Sequence, residues 1–568
     1  MKKSNTSLGE SLVFEGLLTP EQYRQIQIEI EKTQESFVKV LRRLRLIDEK
    51  RLLAFLSAKF QIPQVELTHQ IIKPEVLKVI PEMLVRRLSV MPIRKIGKRC
   101  TVAVSDPMNL SVTDRLRIET GLDIDPVLAT ESEIKNAIDQ YYGARSEMND
   151  VVESLIQPEE TTPDANTLAQ GAGIEEAPIM KLVNTMFSEA IRQGASDVHI
   201  APDKKEVVVR NRVDGMLREV HRYPKSSHTA VVSRLKVMAN LDISESRVPQ
   251  DGRVQLESQG EQVDLRVSIV PTIHGENLVI RLLNLSTAVR SLEDLGMLEA
   301  DSESFRHLIL KPYGMLLITG PTGSGKTTTL YAALHQINTP DKNIVTIEDP
   351  VEYQLPMVRQ IHVNPKVDLT FANGLRSILR QDPDIIMVGE IRDKETAEIA
   401  IQAALTGHLV LSTLHTNDAT SAVARLIDMG IEPFLISSTV IGILAQRLVR
   451  NICPDCKREF PVEDQMLRKF EFARNGLPKS AAYEFKSFFK GTGCLSCRQS
   501  GYRGRSGIFE LFIPDDEIRE LILHKASSTS IRERAVAKGM NVLRQDGLEK
   551  IKRGMTTIDE VFRATQDV

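Results

Sequence analysis

One stretch decides the fold of this 568-residue chain, an apolar run followed by a glycine-rich loop: Met315-Leu316-Leu317-Ile318-Thr319-Gly320-Pro321-Thr322-Gly323-Ser324-Gly325-Lys326-Thr327. The loop fits the pattern GxxxxGK[ST] at every fixed position, and a helix-forming run, 328–337, follows it. Glycines let backbone N–H groups close around an anion, and the positive end of the helix adds to the attraction. The stretch therefore predicts a phosphate-binding turn between a buried strand and a helix.

Two side chains of the loop carry specific chemistry. Lys326 would reach the β- and γ-phosphates of ATP, and the Thr327 hydroxyl is placed to ligate Mg²⁺. A chance glycine loop is the ordinary alternative, and the flanking strand and helix argue against it. The predicted nucleotide-binding set is Gly320, Pro321, Thr322, Gly323, Ser324, Gly325, Lys326, Thr327 and Thr328.

Acidic residues follow two more strand-like runs. The run 344–347 leads into Glu348-Asp349-Pro350-Val351-Glu352, and the run 385–388 leads into Gly389-Glu390. In a parallel sheet the active site lies at the carboxyl ends of the strands, so these acids should fall beside the phosphate loop. One acid is needed to organise Mg²⁺ and one to act on the attacking water, and the pattern alone leaves the assignment open.

The whole chain divides into four parts. From about residue 291 to 568, strands alternate with turns and helices, which predicts a parallel sheet wrapped by helices. An amphipathic helix and two alternating runs predict a second α/β domain over 177–290. Residues 146–176 contain eight acids and no lysine or arginine, as in a flexible linker. Residues 1–145 read as short helices, with a helix start at Thr19-Pro20-Glu21, followed by a small α/β unit.

Four of the five cysteines form two CxxC pairs, Cys453 with Cys456 and Cys494 with Cys497. Two such turns can complete a tetrahedron of thiolates around one ion, and a closed site of this kind holds structural Zn²⁺. The alternative is four thiols without a metal. The fifth, Cys100, lies in an alternating apolar run and is predicted to be a buried small side chain.

Net charge and hydropathy argue against nucleic acid as a partner and against a membrane-spanning segment. The formal net charge of -3 argues weakly against non-specific binding of nucleic acid. No apolar run approaches the roughly 18 to 20 residues of a membrane span, and the N-terminus leads into no signal-peptide core. These features predict a cytoplasmic protein whose work at a membrane would go through a partner.

The motifs resemble those of the secretion-type ATPases of type II secretion and type IV pili. Glu348–Glu352 looks like the acidic box of that family, 389–393 like its atypical Walker B motif, and 407–416 like its histidine box. The segments 194–199 and 249–253 look like signatures of the domain before the motor. The resemblance implies a RecA-like P-loop ATPase core preceded by a PAS-like α/β domain.

The resemblance also implies roles for single residues. Glu352 would be the general base, and Glu390 would organise Mg²⁺ through its waters. His415 and His408 would sense or position the γ-phosphate. Arg266 and Arg281 fit the arginine-finger positions, with a salt-bridged strand surface as the alternative, and we expect them to act on the ATP of a neighbouring subunit in a homohexamer.

The zinc module, at about 450–500, and the long N-terminal region narrow the resemblance to extension or secretion motors, since retraction motors of the family lack this module. The implied function is ATP-driven type IV pilus extension, with an inner-membrane platform protein and cytoplasmic pilus components as partners. A type II secretion ATPase is the alternative, because the catalytic motifs are shared.

Two alternative functions differ from both pilus extension and type II secretion: a ring helicase and a nucleotide-gated adaptor. A ring helicase should show a basic stripe with stacking aromatics, but the chain has no Trp and only 5% aromatic residues. A nucleotide-gated adaptor without activity is disfavoured by the intact set of Lys326, Thr327, Glu352 and Glu390.

The N-terminal region resembles a cyclic di-GMP-binding domain, with one departure. The family motif begins Arg-Leu-Gly, whereas this chain has Ser7-Leu8-Gly9 and, in a second copy, Ser36-Phe37-Val38. Without the guanidinium, a bidentate phosphate contact is lost. We therefore predict that the fold is retained while binding of cyclic di-GMP is weak or absent.

Overall fold

A computed structural model describes residues 2–33, 37–44, 46–67, 70, 72, 74–77, 79–107, 109–138, 141–142, 176–258, 261–284, 291–461 and 487–566. The predicted linker, 146–176, therefore lies outside the described residues except for its last position. The chain forms two compact units, residues 1–159 with 493–499 and residues 160–492 with 500–568.

The first unit begins with helices and adds a small sheet. Strand β1 is antiparallel to β2, and β2 is parallel to β3. This arrangement matches the predicted helical segment and small α/β unit. The described elements are α1 (Lys2–Phe14), α2 (Pro20–Thr33), α3 (Phe37–Arg43), α4 (Glu49–Phe60), α5 (Pro74–Leu77), α6 (Glu82–Leu88), β1 (Met91–Ile96), β2 (Arg99–Val104), α7 (Leu110–Thr120), β3 (Asp123–Leu128) and α8 (Glu131–Ile138).

A side-chain cap explains where helix α2 begins. At the start of α2, the Gln22 N–H donates to Thr19 Oγ1 over 3.2 Å, and the Thr19 N–H donates to Gln22 Oε1 over 2.9 Å. This reciprocal pair is a capping box, and the predicted helix start at Thr19 is confirmed. Helix α6 ends at Leu88, where the C-cap Ser89 takes a left-handed φ of 49°.

The second unit opens with an antiparallel six-stranded sheet among its described residues, in the order β6-β5-β4-β9-β8-β7. The apolar stripe predicted along its first helix is confirmed, since Leu182, Val183 and Met186 are buried. The elements are α9 (Glu176–Arg192), β4 (Asp197–Pro202), β5 (Glu206–Val213), β6 (Met216–Pro224), α10 (His228–Met238), β7 (Gln250–Ser258), β8 (Glu261–Thr272) and β9 (Gly275–Asn284).

A seven-stranded sheet forms the centre of the same unit, in the order β12-β11-β13-β14-β10-β15-β18 over its described strands. Strands β10 to β15 pair in parallel, and β18 joins β15 antiparallel. The strands are β10 (Gly314–Thr319), β11 (Ile344–Glu348), β12 (Arg359–His362), β13 (Ile385–Val388), β14 (Leu409–Leu414), β15 (Val440–Ile452) and β18 (Tyr502–Phe512), with the hairpin β16 (Lys457–Phe460) and β17 (Phe488–Gly491) between the last two.

Helices cover both faces of this sheet. Along β10, Met315 and Leu317 join one apolar core while Leu316 and Ile318 join the other, as side-chain alternation along a strand requires. The predicted α/β fold class is therefore confirmed. The described helices are α11 (Glu299–Ile309), α12 (Lys326–Ile337), α13 (Phe371–Ile378), α14 (Lys394–Leu405), α15 (Ala419–Asp428), α16 (Pro433–Thr439), α17 (Asp516–Leu523), α18 (Ser528–Ala537), α19 (Leu543–Lys552) and α20 (Ile558–Ala564).

Candidate active site at the carboxyl ends of the parallel strands

The glycine-rich loop joins the end of β10 to the start of α12, as predicted. Gly320 has a φ of 148°, and a Cβ there would lie 2.5 Å from the carbonyl oxygen of Gln446 and 2.6 Å from Ser324 Oγ. Gly325 has a φ of 89° and comes directly before the helix. Only glycine fits the first position without displacing backbone, so the close approach of the loop to Gln446 requires Gly320.

Lys326 is the buried cation of this loop. Its ammonium donates to the carbonyl oxygens of Gly320, at 2.8 Å, and Pro321, at 3.2 Å. Burial lowers the pKa of Lys326 to about 8, the Glu390 carboxylate opposes that change, and the Arg447 guanidinium adds to it. A bound anion would offset the cost of burying this charge, so the loop suits a phosphate.

Gln446 on β15 holds the phosphate loop through two side-chain hydrogen bonds. The sequence patterns gave no indication of this residue. Its Nε2 donates to the Ser324 carbonyl over 2.7 Å, and its Oε1 accepts from the Thr329 hydroxyl over 2.7 Å. Strand β15 pairs directly with β10, which places Gln446 under the turn. Because the pair joins residues more than a hundred positions apart, no local pattern could have revealed it.

The two acids at the end of β11 have different surroundings. Glu348 is buried and accepts hydrogen bonds from Tyr331, Thr346 and Gln360. Glu352, beyond the turn, is about one third exposed and faces Arg266. Of these two, Glu352 is therefore the acid with a carboxylate available to a substrate.

Arg266 reaches this loop from β8 of the antiparallel sheet in the same chain. One of its guanidinium nitrogens lies 3.0 Å from Glu352 Oε2, and the other donates to the Val351 carbonyl over 2.8 Å. The contact between Arg266 and Glu352 is an ion pair rather than a hydrogen bond, and Glu352 Oε2 accepts no hydrogen bond from the described residues. Within this chain Arg266 therefore lies beside Glu352 of the same chain. Its predicted action on the ATP of a neighbouring subunit stays a prediction.

Arg281 is not brought to the same point. It is directly opposite Arg266 on β9, but its Nε bonds Asp197 Oδ1 over 3.1 Å, and the side chain is 57% exposed. This is the salt-bridged strand surface that the sequence analysis kept as an alternative. The finger role of Arg281 stays a prediction.

Glu390 follows β13 and lies close to the loop. It pairs with Arg392, and His415 Nε2 lies 3.1 Å from its Oε2. Burial alone would raise the pKa of Glu390, but hydrogen bonds from Arg392 and His415 outweigh it and hold that pKa below its usual value. The site therefore offers an ionised carboxylate near Lys326.

The two histidines lie at opposite ends of β14. His415 follows the carboxyl end and contacts Glu390, whereas His408 precedes the strand and its Nδ1 lies 2.9 Å from the Ala403 carbonyl oxygen. A six-residue strand spans about 20 Å. The structure thus brings His415 to the site and does not bring His408 there.

Oxygen donors around the loop fit Mg²⁺. Thr327 is exposed at the first turn of α12, and the Glu390 carboxylate acts electrostatically on the neighbouring Lys326. Hydroxyl, carboxylate and water oxygens are the ligands that Mg²⁺ takes together with nucleotide phosphates. Thr328, next along the helix, is half-buried.

The four paired cysteines form a separate cluster. Cys453, Cys456, Cys494 and Cys497 are buried, their sulfurs all lie within 4.8 Å of one another, and none is in a disulfide. Buried thiol sulfurs in this arrangement match the donor set of a closed tetrahedral Zn²⁺ site. Cys100 is buried elsewhere, as predicted.

Comparisons with known proteins agree with this geometry. Residues 173–563 match the model of the type II/IV secretion system protein family, and residues 60–148 match the MshEN domain. The chain belongs to the type II/IV secretion system protein family. The predicted resemblance is thereby confirmed.

Two curated relatives and one solved structure illustrate the match. The type IV pilus assembly ATPase PilB of Myxococcus xanthus is 43% identical over 565 residues, which is 98% of each chain. The type II secretion system ATPase E of Vibrio cholerae is 51% identical over 393 residues, 69% of this chain and 76% of that one. The ATPase DotB of Yersinia pseudotuberculosis, 21% identical, has a TM-score of 0.51 over 68% of this chain and 94% of its own, which shows the shared fold.

The length and hydropathy of the helices were compared with those of a membrane-spanning helix. Within the part of the chain that the structure describes, no helix has both the length and the apolar character needed to cross a bilayer.

Proposed function

We propose that this chain is a Mg²⁺-dependent ATPase that drives extension of type IV pili at the cytoplasmic face of the inner membrane. One observation carries the enzymatic part: Lys326 lies within electrostatic reach of Glu390, at the same carboxyl edge of the parallel sheet that carries Glu352. A phosphate cradle with two carboxylates at the carboxyl edge of a parallel sheet suits nucleoside triphosphate hydrolysis.

Each residue has a stated part in that reaction. Backbone N–H groups of the loop and the Lys326 ammonium bind the phosphates of ATP. Glu352 accepts a proton from water as the water oxygen bonds to the γ-phosphorus and the bond to the ADP oxygen breaks, which gives ADP and phosphate. Thr327, and Glu390 through waters, would hold Mg²⁺, which would supply positive charge to the phosphate oxygens. His415, beside Glu390, is positioned to respond to the γ-phosphate.

Support for the pilus comes from the extent of the PilB match. That relative aligns over 98% of both chains, including the N-terminal unit, whereas the type II secretion relatives of Vibrio cholerae and Xanthomonas campestris align over 69% and 87% of this chain. Type II secretion is the second candidate, favoured by the higher identity of 51% over the shared region. In either case we propose a homohexamer working with an inner-membrane platform protein.

The enzymatic part is tested by two substitutions that separate binding from turnover. Lys326→Ala should abolish productive nucleotide binding, because the phosphates lose their buried cation. Glu352→Gln should leave ATP affinity within about threefold and lower the steady-state rate by at least about 10²-fold, because only the base is lost. Near-normal turnover in Glu352→Gln would remove Glu352 from the base role.

The pilus part is tested by the membrane partner. We expect the full chain, purified from its host under mild detergent, to retain the platform complex of the pilus, and Glu352→Gln in the host to abolish pili. Recovery of the type II secretion platform with normal pili would favour the second candidate. DNA-stimulated hydrolysis would contradict both.

A further inference from the structure

Tyr331 joins the nucleotide-binding helix to the loop that carries Glu352. It lies on α12, which begins at Lys326, and its side chain is 1% exposed. Its hydroxyl contacts the Glu348 carboxylate, lies 3.2 Å from the backbone nitrogen of Glu352 and lies 3.3 Å from Gln360 Nε2. Three elements of the sheet and its helices therefore meet at one oxygen.

The chemistry of the partners fixes the direction of each bond. The backbone N–H of Glu352 and the NH₂ of Gln360 can only donate, so the hydroxyl proton must go to Glu348. The phenol oxygen then accepts from the Glu352 N–H and from Gln360 Nε2, whose two protons are shared among three acceptors. The Gln360 amide is itself oriented, because its Oε1 accepts from the Leu355 N–H over 2.7 Å.

The same network holds the rest of the loop. Gln360 Nε2 lies 3.1 Å from both the Tyr353 carbonyl oxygen and Glu348 Oε1. The rings of Tyr331 and Tyr353 meet edge to face with centroids 4.5 Å apart. The loop from 349 to 355 is thus attached to α12 at Glu352 and Tyr353, and to β12 at Tyr353 and Leu355.

We propose that Tyr331 is a positioning residue for Glu352, an inference that rests on the proposed role of Glu352 as the base. The hydroxyl holds the backbone of Glu352 itself, and α12 begins at the residue that binds the phosphates. One rigid helix therefore sets the position of the base relative to the γ-phosphate. Misplacement of a reacting group by about 1 Å can cost 10²-fold in rate, so one hydroxyl at this point has a large effect.

The test is Tyr331→Phe, which keeps the ring and removes only the hydroxyl. We expect kcat to fall by about 10- to 100-fold while KM for ATP stays within about twofold, since the phosphate loop is untouched. Gln360→Met, which removes the amide bonds to Tyr331 and Leu355 but keeps the side-chain length, should lower kcat in the same way and provides a second route if Tyr331→Phe does not fold.

Thr346→Val is the matched control. The Thr346 hydroxyl donates to the same Glu348 carboxylate, to Oε1 over 2.6 Å, but it has no bond to the Glu352 loop. Thr346→Val should therefore lower the melting temperature without lowering kcat. An equal loss of kcat in Thr346→Val and Tyr331→Phe would mean that both act through general stability, and would overturn the proposal.

A double substitution separates positioning from other effects. In a Glu352→Gln background, adding Tyr331→Phe should cost no further rate, because there is no base left to position. A further tenfold loss there would overturn the inference. Full turnover in Glu352→Gln alone would overturn the proposed base, whereas an inactive Glu352→Gln with unimpaired Tyr331→Phe would overturn only the positioning role.

Discussion

Glu348 and Glu352 stand four residues apart in one acidic segment and have opposite surroundings. Glu348 is 3% exposed, and all of its described hydrogen bonds come from protein donors. The Glu352 side chain is 30% exposed, and its carboxylate forms an ion pair with Arg266. A buried carboxylate must be satisfied internally, so Glu348 stabilises the loop, and Glu352 remains the acid that can act on a substrate.

Asp301 on α11 provides a pH-dependent prediction at the same scale. Burial raises its pKa to about 6, the Asp546 carboxylate adds to the rise, and the Lys550 ammonium opposes it. Because this pKa lies above the unfolded value of 3.8, the folded state binds more protons between these two pH values, and ionised Asp301 destabilises the fold above them. Asp301→Asn should therefore stabilise the unit at neutral pH.

We expect the free energy of unfolding of Asp301→Asn to exceed that of the unaltered chain by about 1 to 2 kcal/mol at pH 7 to 8, after allowance for partial exposure. The gain should vanish below about pH 4, where the aspartate is protonated in both states. Denaturant unfolding between pH 4 and 8 measures it, with Glu303→Gln, exposed on the same helix, as the control. A gain independent of pH would contradict this cause.

At the scale of elements, the parallel strands bring the site together. Strands β10, β11, β13 and β14 are buried, and the loops after their carboxyl ends carry Lys326, Glu352, Glu390 and His415. The Thr319 hydroxyl at the end of β10 also accepts from the Thr416 N–H over 2.9 Å, which ties the phosphate loop to the loop after β14. His408 is excluded because it precedes its strand.

The cysteine cluster gives a prediction about a second element. We expect about one Zn²⁺ per chain in protein purified without added metal, as a closed thiolate site implies. Cys453→Ser should reduce the zinc content to below about 0.2 per chain, while ATP binding at Lys326 persists because the loop is a separate element. Elemental analysis and nucleotide titration measure the two effects.

Cys100→Ser is the control for zinc, since Cys100 is buried but is not one of the four clustered cysteines. It should leave the zinc content unchanged. Four freely reactive thiols with no metal in the unaltered chain would reject the zinc site.

At the scale of the whole molecule, the position of Arg266 gives a prediction about the proposed ring. The family resemblance implies action on a neighbour, which stays a prediction, while within one chain the guanidinium contacts Val351 and Glu352 of that chain. We therefore expect mixed rings of Arg266→Ala and Glu352→Gln subunits to remain inactive at every mixing ratio, because each site lacks one of the two groups.

Subunit exchange must be demonstrated in the same preparation. Partial return of hydrolysis in exchanging rings would mean that Arg266 acts on the neighbouring subunit after all. The same mixing with Arg281→Ala tests the second predicted finger, for which the action on a neighbour stays a prediction. Such fingers are typically worth about 10³ to 10⁵ in rate, so the difference is measurable.

Cyclic di-GMP binding is the remaining prediction for the whole chain. The MshEN match begins at residue 60, whereas the motif copies lie at Ser7 and Ser36, and the side chains of both serines lie outside what the structure describes. We expect calorimetric titration of the full chain to show weak or no binding, because each copy lacks its arginine. Ser7→Arg with Ser36→Arg should increase the affinity. Tight, saturable binding by the unaltered chain would contradict the prediction.

The sequence by itself determined the phosphate loop, the strand-end acids, the paired cysteines and the α/β class. Each of these features depends on the spacing of residues within one or two neighbouring elements. The periods of helix and strand therefore make it recognisable in the sequence. The start of α2 at Thr19-Pro20 was readable for the same reason, since a cap involves residues three positions apart.

Only the tertiary structure decided which acid is buried, which histidine reaches the site and that Arg266 and Glu352 of one chain form an ion pair. It also revealed Gln446 under the loop and Tyr331 behind the base. These contacts join residues from 17 to 122 positions apart. They depend on how strands pair and helices pack, and no local period in the sequence encodes such pairs.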